Sequence, residues 1–205
     1  MRKIEAAIPT RRGPCQLFCW VPQPGEQPDI ALVFGDVHEC EHVMVRIQSE
    51  CLTGHVFESL ICDCHGQLHD ALDRIAAEGR GVLVYLRQEG RGIGLVAKLD
   101  SYVLQAQGLD TVDANAALGH AADERNYGAA ARILGELGVR SVRLLSNNPD
   151  KSAALRTAGV VVSDVIPLPP RVESENQRYL VTKRDRLGHK LELDAVIEST
   201  HDLGS

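Results

Sequence analysis

Three cysteines, Cys51, Cys62 and Cys64, stand in the pattern C-x10-C-x-C. Thiolates bind zinc strongly, and a catalytic zinc keeps three protein ligands and leaves its fourth position to water or substrate. Three clustered cysteines match that count. The same spacing admits two other readings: a structural zinc with His55 or His65 as fourth ligand, or three buried reduced thiols. The remaining cysteines, Cys15, Cys19 and Cys40, fall on predicted strands and read as buried apolar thiols. Two further stretches carry anion-binding chemistry. In RQEGRGIG (87–94) the glycines permit close backbone approach, and the helix start that follows favours a negative charge. SNNPDK (146–151) joins a strand end to a helix start and offers hydroxyl, amide and ammonium donors.

These groups need elements to position them. CQLFCWV (15–21), IALVFGD (30–36) and HVMVRI (42–47) are short and aliphatic and read as strands, the first two separated by the turn-rich PQPGEQP (22–28). Leu68, Leu72 and Ile75 recur at helical spacing ahead of Gly79, and GVLVYL (81–86) follows as a buried strand. A second helix is predicted over 95–107 with Gly108 as its stop, and another over 129–137 with Gly138. A strand at 142–145, a helix after NNPDK and a strand at 160–168 complete the pattern. The fold class expected is mixed α/β layers: a β-rich N-terminal part, then alternating strands and helices with parallel pairing among the later strands. Residues 1–168 read as one domain, and 169–205 as a polar, irregular tail.

Composition bounds the function. With 205 residues, 44% hydrophobic and 24% charged, the chain is long enough for a buried core, and with only 4% aromatic residues that core should be aliphatic. A net charge of −6 argues against a broad basic surface for nucleic acid or anionic membrane, but leaves room for a small phosphorylated ligand held by a local cluster of donors. MRKIEAAIPTRRG (1–13) lacks the apolar core of a signal peptide, and no apolar run reaches the ~18 residues of a membrane span. Six cysteines are too few for a disulfide scaffold, so a cytoplasmic location is expected, where thiols stay reduced.

Taken together, RIQSECLTGHVFESLICDCHGQL (46–68), YLRQEGRGIGL (85–95), QGLDTVDANAALG (107–119), ADERNYG (122–128), LLSNNPDK (144–151) and YLVTKRDRLGH (179–189) resemble, in order, the motif series of GTP cyclohydrolase II. The likeness runs from about residue 5 to 190. It implies zinc-dependent hydrolysis of GTP at C8 of guanine, with loss of formate and pyrophosphate, as the opening step of the riboflavin pathway. It further implies Mg²⁺ with the triphosphate and a homodimer. The related bifunctional proteins carry an additional dihydroxybutanone-phosphate synthase domain, for which 205 residues are expected to leave no room.

Residue by residue, the resemblance makes Cys51, Cys62 and Cys64 the zinc ligands and Tyr102 the active-site tyrosine. Before the resemblance is considered, Tyr102, set among Leu99, Val103 and Leu104, reads as an ordinary core helix residue. Asp123 matches the family's proton acceptor and Arg125 its proposed nucleophile toward the α-phosphate. A guanidinium stays protonated, so an electrostatic role across phosphate oxygens is physically easier for Arg125 than a covalent one. The nucleotide-binding set implied is Arg46, Ile47, Gln48, Ser49, Glu50, Gln67, Glu89, Gly90, Arg91, Thr111, Ser146 and Lys151, with the Glu50 carboxylate suited to the guanine edge.

The sequence departs from the family pattern at Gln48, His55, Ile61, His65-Gly66, Ala97 and Asp100, and more mildly at Ser146. Two other readings therefore stand beside the first. One is a cyclohydrolase-like paralogue in secondary metabolism that acts on another purine nucleotide or stops at the ring-opened formamide. The other is a non-catalytic, zinc-containing nucleotide-binding protein.

Overall fold

A computed structural model of the chain describes residues 2–21 and 27–193. It divides into two compact units. The first takes the residues up to 49 together with 69–87 and 126–168; the second takes 50–68, 88–125 and the residues from 169 onward.

The first unit is built on one seven-stranded sheet: β1 (Arg2–Thr10), β2 (Gly13–Val21), β3 (Asp29–Phe34), β4 (Val43–Ser49), β5 (Gly81–Leu86), β6 (Ser141–Leu145) and β7 (Val161–Ile166), in the order β1-β2-β3-β5-β4-β6-β7. β1, β2, β3 and β5 pair antiparallel. β5, β4, β6 and β7 pair parallel, as expected for the later strands. β4 is central and almost wholly buried, which is why HVMVRI is a continuous run rather than an alternation. Val45, Ile47, Val82, Val84 and Leu144 are fully buried in the core, which is aliphatic apart from Phe18, Trp20, Phe34 and Tyr127. The Trp20 indole meets the rule that a buried N–H finds an acceptor, donating to Glu136 Oε2 at 2.5 Å.

Three helices lie wholly or mostly in this unit: α2 (Cys64–Glu78), whose first residues belong to the second unit, α5 (Gly128–Glu136) and α6 (Pro149–Thr157). α2 turns Ala71 and Ile75 inward. α6 starts inside NNPDK rather than after it: Asn148 caps it by accepting from Asp150 N at 2.9 Å, and Pro149 takes the first helical position, where its missing N–H costs nothing.

The second unit holds α1 (Leu52–His55), the start of α2, a 3₁₀ turn at Glu89–Gly92, α3 (Gly94–Ala106), α4 (Thr111–Ala117) and α7 (Gln177–Asp185). α7 corrects the expectation of an irregular stretch after residue 168. Its Leu180 is fully buried with Leu191 and Leu193, flanked by Val172, Tyr179 and Val181. The rest of the expected tail, 194–205, lies outside the described residues, as do 22–26 of the PQPGEQP turn. Among the described residues no helix is long and apolar enough to cross a membrane.

Candidate functional site

The cysteine pattern closes into a cluster in the second unit. The Sγ atoms of Cys51, Cys62 and Cys64 all lie within 4.8 Å of one another, and Cys51 and Cys62 Sγ are 3.7 Å apart. Cys51 ends the extended stretch after β4, and Cys64 is the first residue of α2. Gly54 makes the convergence possible. A Cβ at that position would sit 3.1 Å from the sulfurs of Cys51 and Cys62 and 3.0 Å from Cys64 Cβ.

This donor set suits zinc. A Zn–S bond of about 2.3 Å puts two thiolates of a tetrahedron roughly 3.8 Å apart, close to the Cys51–Cys62 separation. Among the described residues no histidine nitrogen joins the cluster. His55 instead accepts from the Cys51 backbone N–H through Nδ1 at 3.3 Å, so the geometry is that of three protein ligands rather than four. Charge points the same way. Hydrogen bonds from Cys62 and Cys64, with help from the Lys98 charge, hold the Cys51 thiol far below its usual range. The reverse of those contacts, plus burial, pushes Cys62 to about 11 and Cys64 well above its usual value. A divalent cation is what lets three such sulfurs ionise together.

Around the sulfurs lies a polar shell from α1, the 3₁₀ turn and α3. Lys98 Nζ donates to Cys51 Sγ at 3.1 Å, Thr53 Oγ1 at 2.9 Å and Glu89 Oε1 at 2.8 Å. Burial works against its charge, but Cys51, Glu89 and Tyr102 outweigh it and the ammonium is held above its usual range. Glu89 is fully engaged: Oε1 also accepts from Gly90 N at 2.8 Å, and Oε2 accepts from Leu52 N at 2.6 Å. The Tyr102 hydroxyl lies 3.4 Å from Thr53 Oγ1, and burial pushes its phenol up to about 12. Tyr102 is not the core residue that its neighbours suggested, since Leu99 and Val103 are exposed while Lys98 and Ser101 are buried.

Tyr102 and Thr111 both line a cavity of about 280 Å³, together with Ile61, Gln105, Arg178 and Tyr179. Thr111 donates to Gln105 Oε1 at 3.2 Å. Gln67, three residues after Cys64, donates to Asp63 Oδ2 at 2.9 Å. Asp63, between Cys62 and Cys64, also accepts from Lys183 of α7 at 2.9 Å in a buried ion pair.

Arg91 has a left-handed backbone (φ 62°), uncommon for a residue with a Cβ. Its guanidinium carbon sits 5.6 Å from the Tyr179 ring centroid, and its buried Nη1 makes no hydrogen bond. Its carbonyl accepts from Glu124 N at 2.9 Å, which ties the Asp123–Arg125 loop to the EGRG turn. Within that loop Arg125 forks onto Asp123, with Nε donating to Oδ1 at 2.8 Å and Nη2 to Oδ2. Burial opposes the Asp123 charge, but the hydrogen bonds and charge of Arg125, with the charge of Arg91, hold its carboxyl below the usual range. Glu50 opens the second unit just before Cys51.

The other expected binding residues belong to the first unit, in the second half of β4 from Arg46 onward and just after β6, toward the carboxyl ends of these parallel strands where open α/β sheets place ligands. Arg46 donates through Nε to Gln48 Oε1 at 2.9 Å and through Nη1 to Leu145 O at 3.0 Å. Lys151 Nζ donates to Ile47 O at 2.8 Å. Ser146 Oγ accepts from Asn148 N at 3.1 Å, and Ser49 Oγ is buried without a hydrogen bond.

Sequence reasoning passed over Lys98, Thr53, Gly54, Asp63 and Lys183. One signal was available: Lys98, Ser101 and Gln105 recur at i, i+3 and i+7 beside Tyr102, a polar stripe in a helix whose apolar residues point the other way.

A family model described as GTP cyclohydrolase II matches residues 1–167. The riboflavin biosynthesis protein RibBA of Salinispora arenicola is 54% identical over 196 residues, 95% of this chain and 47% of the relative. That of Bacillus subtilis is 51% identical over 191 residues, 93% of this chain and 48% of the relative. The chain thus spans about half the length of the curated relatives it matches. A crystal structure of RibBX, a two-domain 3,4-dihydroxy-2-butanone 4-phosphate synthase from A. baumannii, matches with a TM-score of 0.48 and 20% identity over 80% of this chain and 40% of that one, too distant to bear on the fold.

Proposed function

The chain belongs to the GTP cyclohydrolase II family, and from that premise we propose that it hydrolyses GTP at C8 of guanine in riboflavin biosynthesis. Formate and pyrophosphate leave, and 2,5-diamino-6-ribosylamino-4(3H)-pyrimidinone 5′-phosphate remains. The observation that carries this reading is the trio of sulfurs within 4.8 Å. Cys51, Cys62 and Cys64 would hold zinc, which supplies a Lewis acid able to bring the pKa of water from 15.7 to about 7 and so make it nucleophilic toward a weakly electrophilic purine carbon.

The chain's own groups supply the rest. Tyr102, kept neutral by burial, orients the hydrated purine or hands it a proton. Asp123, kept ionised by Arg125, serves as proton acceptor. Arg125, forked onto Asp123 here, would bring its fixed charge beside the α-phosphate, where it stabilises the charge that develops as pyrophosphate departs. Arg91, whose buried Nη1 makes no hydrogen bond, offers a donor to the nucleotide, Gly90 allows close backbone approach, Gln67 and Thr111 add polar contacts, and the Glu50 carboxylate accepts from the guanine edge. Arg46, Ile47, Gln48, Ser49, Ser146 and Lys151 complete the binding set, with Mg²⁺ on the triphosphate. Because the Glu89 carboxylate is engaged on both oxygens, its part in binding is through its backbone. A cytoplasmic homodimer is part of the same proposal.

The test is to incubate purified protein with GTP, Zn²⁺ and Mg²⁺ and assay formate, pyrophosphate and the diaminopyrimidine. All three are expected. Zinc-loaded, folded protein that yields none of them overturns the activity, and accumulation of a formamide without formate identifies the truncated reaction instead.

A further inference from the structure

Three thiolates on a divalent cation leave a net negative centre, which is a poor starting point for a Lewis acid. Electron donation from sulfur must be restrained if the metal is to polarise anything. The Lys98 ammonium sits 3.1 Å from Cys51 Sγ and is only 8% exposed. Its other two N–H bonds are committed to Thr53 Oγ1 and Glu89 Oε1, so none remains for a substrate phosphate. Glu89 holds it in place and, through the 2.6 Å bond from Leu52 N, also fixes the backbone next to Cys51.

We propose that Lys98, anchored by Glu89, is a positioning residue for the metal centre: its N–H···S hydrogen bond orients the Cys51 thiolate and withdraws charge from it, keeping the bound metal Lewis acidic. The inference rests on the metal reading above. It assigns Lys98 a role through Cys51 rather than on the substrate. It also explains why α3 turns a lysine inward while Val96, Leu99 and Val103 face outward. A metal-bound thiolate retains lone pairs, so the hydrogen bond and the coordination bond coexist on one sulfur.

The experiment loads the full chain with Co²⁺ alone and reads the sulfur-to-cobalt charge-transfer absorption. In wild type, one Co²⁺ per chain with such a band is expected. In Lys98→Met the sulfur lone pairs rise in energy and the band moves to longer wavelength. Lys98→Gln, which keeps a neutral donor, falls between the two. With zinc, the Met variant should lose about 10–100-fold in kcat, with KM for GTP close to wild type.

A second measurement needs no substitution. In ¹⁵N-lysine-labelled wild type, one slowly exchanging ammonium signal should change its shift when Zn²⁺ is replaced by Cd²⁺. Wild type that takes up no Co²⁺, or shows no charge-transfer band, overturns the metal reading itself. A normal wild-type band left unmoved in a variant that binds Co²⁺, or the absence of any metal-sensitive lysine signal, overturns the role of Lys98 alone.

Discussion

The residues that make the cluster differ in how much their type reveals. Cysteines are rare and chemically loaded, so C-x10-C-x-C was legible without a fold. Gly54 was not, because a glycine inside LTGH looks like any loop glycine until three cysteines are seen around it. Gly54→Ala puts a methyl 3.1 Å from two sulfurs and 3.0 Å from Cys64 Cβ, which has no torsion to swing it away. Overpacking of this kind costs about 1–3 kcal/mol, and competition with a chromophoric chelator should show zinc held roughly 10–100-fold more weakly. Lys98 was illegible for the opposite reason: lysine is so seldom buried that sequence alone assigns it to solvent. Only the acceptors Cys51 and Thr53 from the start of α1 and Glu89 from the 3₁₀ turn offset the cost of burying it.

Among the elements, those with a strong apolar period were read correctly and the polar ones were missed. β1 is an edge strand whose residues are mostly exposed, and RKIEAAIPT lacks the buried alternation that marks a half-covered strand. α7 reads QRYLVTKRD, mostly polar, and becomes a helix through burial of Leu180 and the ion pair between Lys183 and Asp63. Removing one partner of a buried pair leaves the other charge unpaired. Lys183→Met should therefore lower the opening free energy of 177–185, read by hydrogen exchange, by about 3–5 kcal/mol, and Asp63→Asn in the same chain should restore part of it. α4 was missed because it is short, yet it carries a strong start signal. Asp110 accepts from Val112 N at 2.8 Å and Asp113 N at 2.9 Å and pairs with Arg186. Partial burial opposes its charge, but the Asp113 amide, Arg186 and the Val112 amide hold the carboxyl below its usual range. Its stabilisation is therefore complete above the unfolded value of about 3.9 and is lost as pH falls through the lower folded value. Asp110→Ala should cost about 1 kcal/mol at neutral pH, and the difference from wild type should vanish in acid, as urea titrations at several pH values would show.

At the scale of the whole chain, the three clustered cysteines all belong to one unit and the sheet to the other. Metal removal should therefore be a local event. With a strong chelator, amide exchange is expected to quicken over 50–68, while β4, β5 and β6 keep their protection. Uniform loss across both regions would contradict this. The cluster also governs how the protein tolerates air. All six cysteines are reduced, and Cys51 and Cys62 bring a favoured thiolate within 3.7 Å of a second sulfur, the reactants of disulfide formation. Peroxide would staple these two together and remove two donors at once. A preparation left without reductant should then fade in a manner that dithiothreitol reverses and added zinc does not.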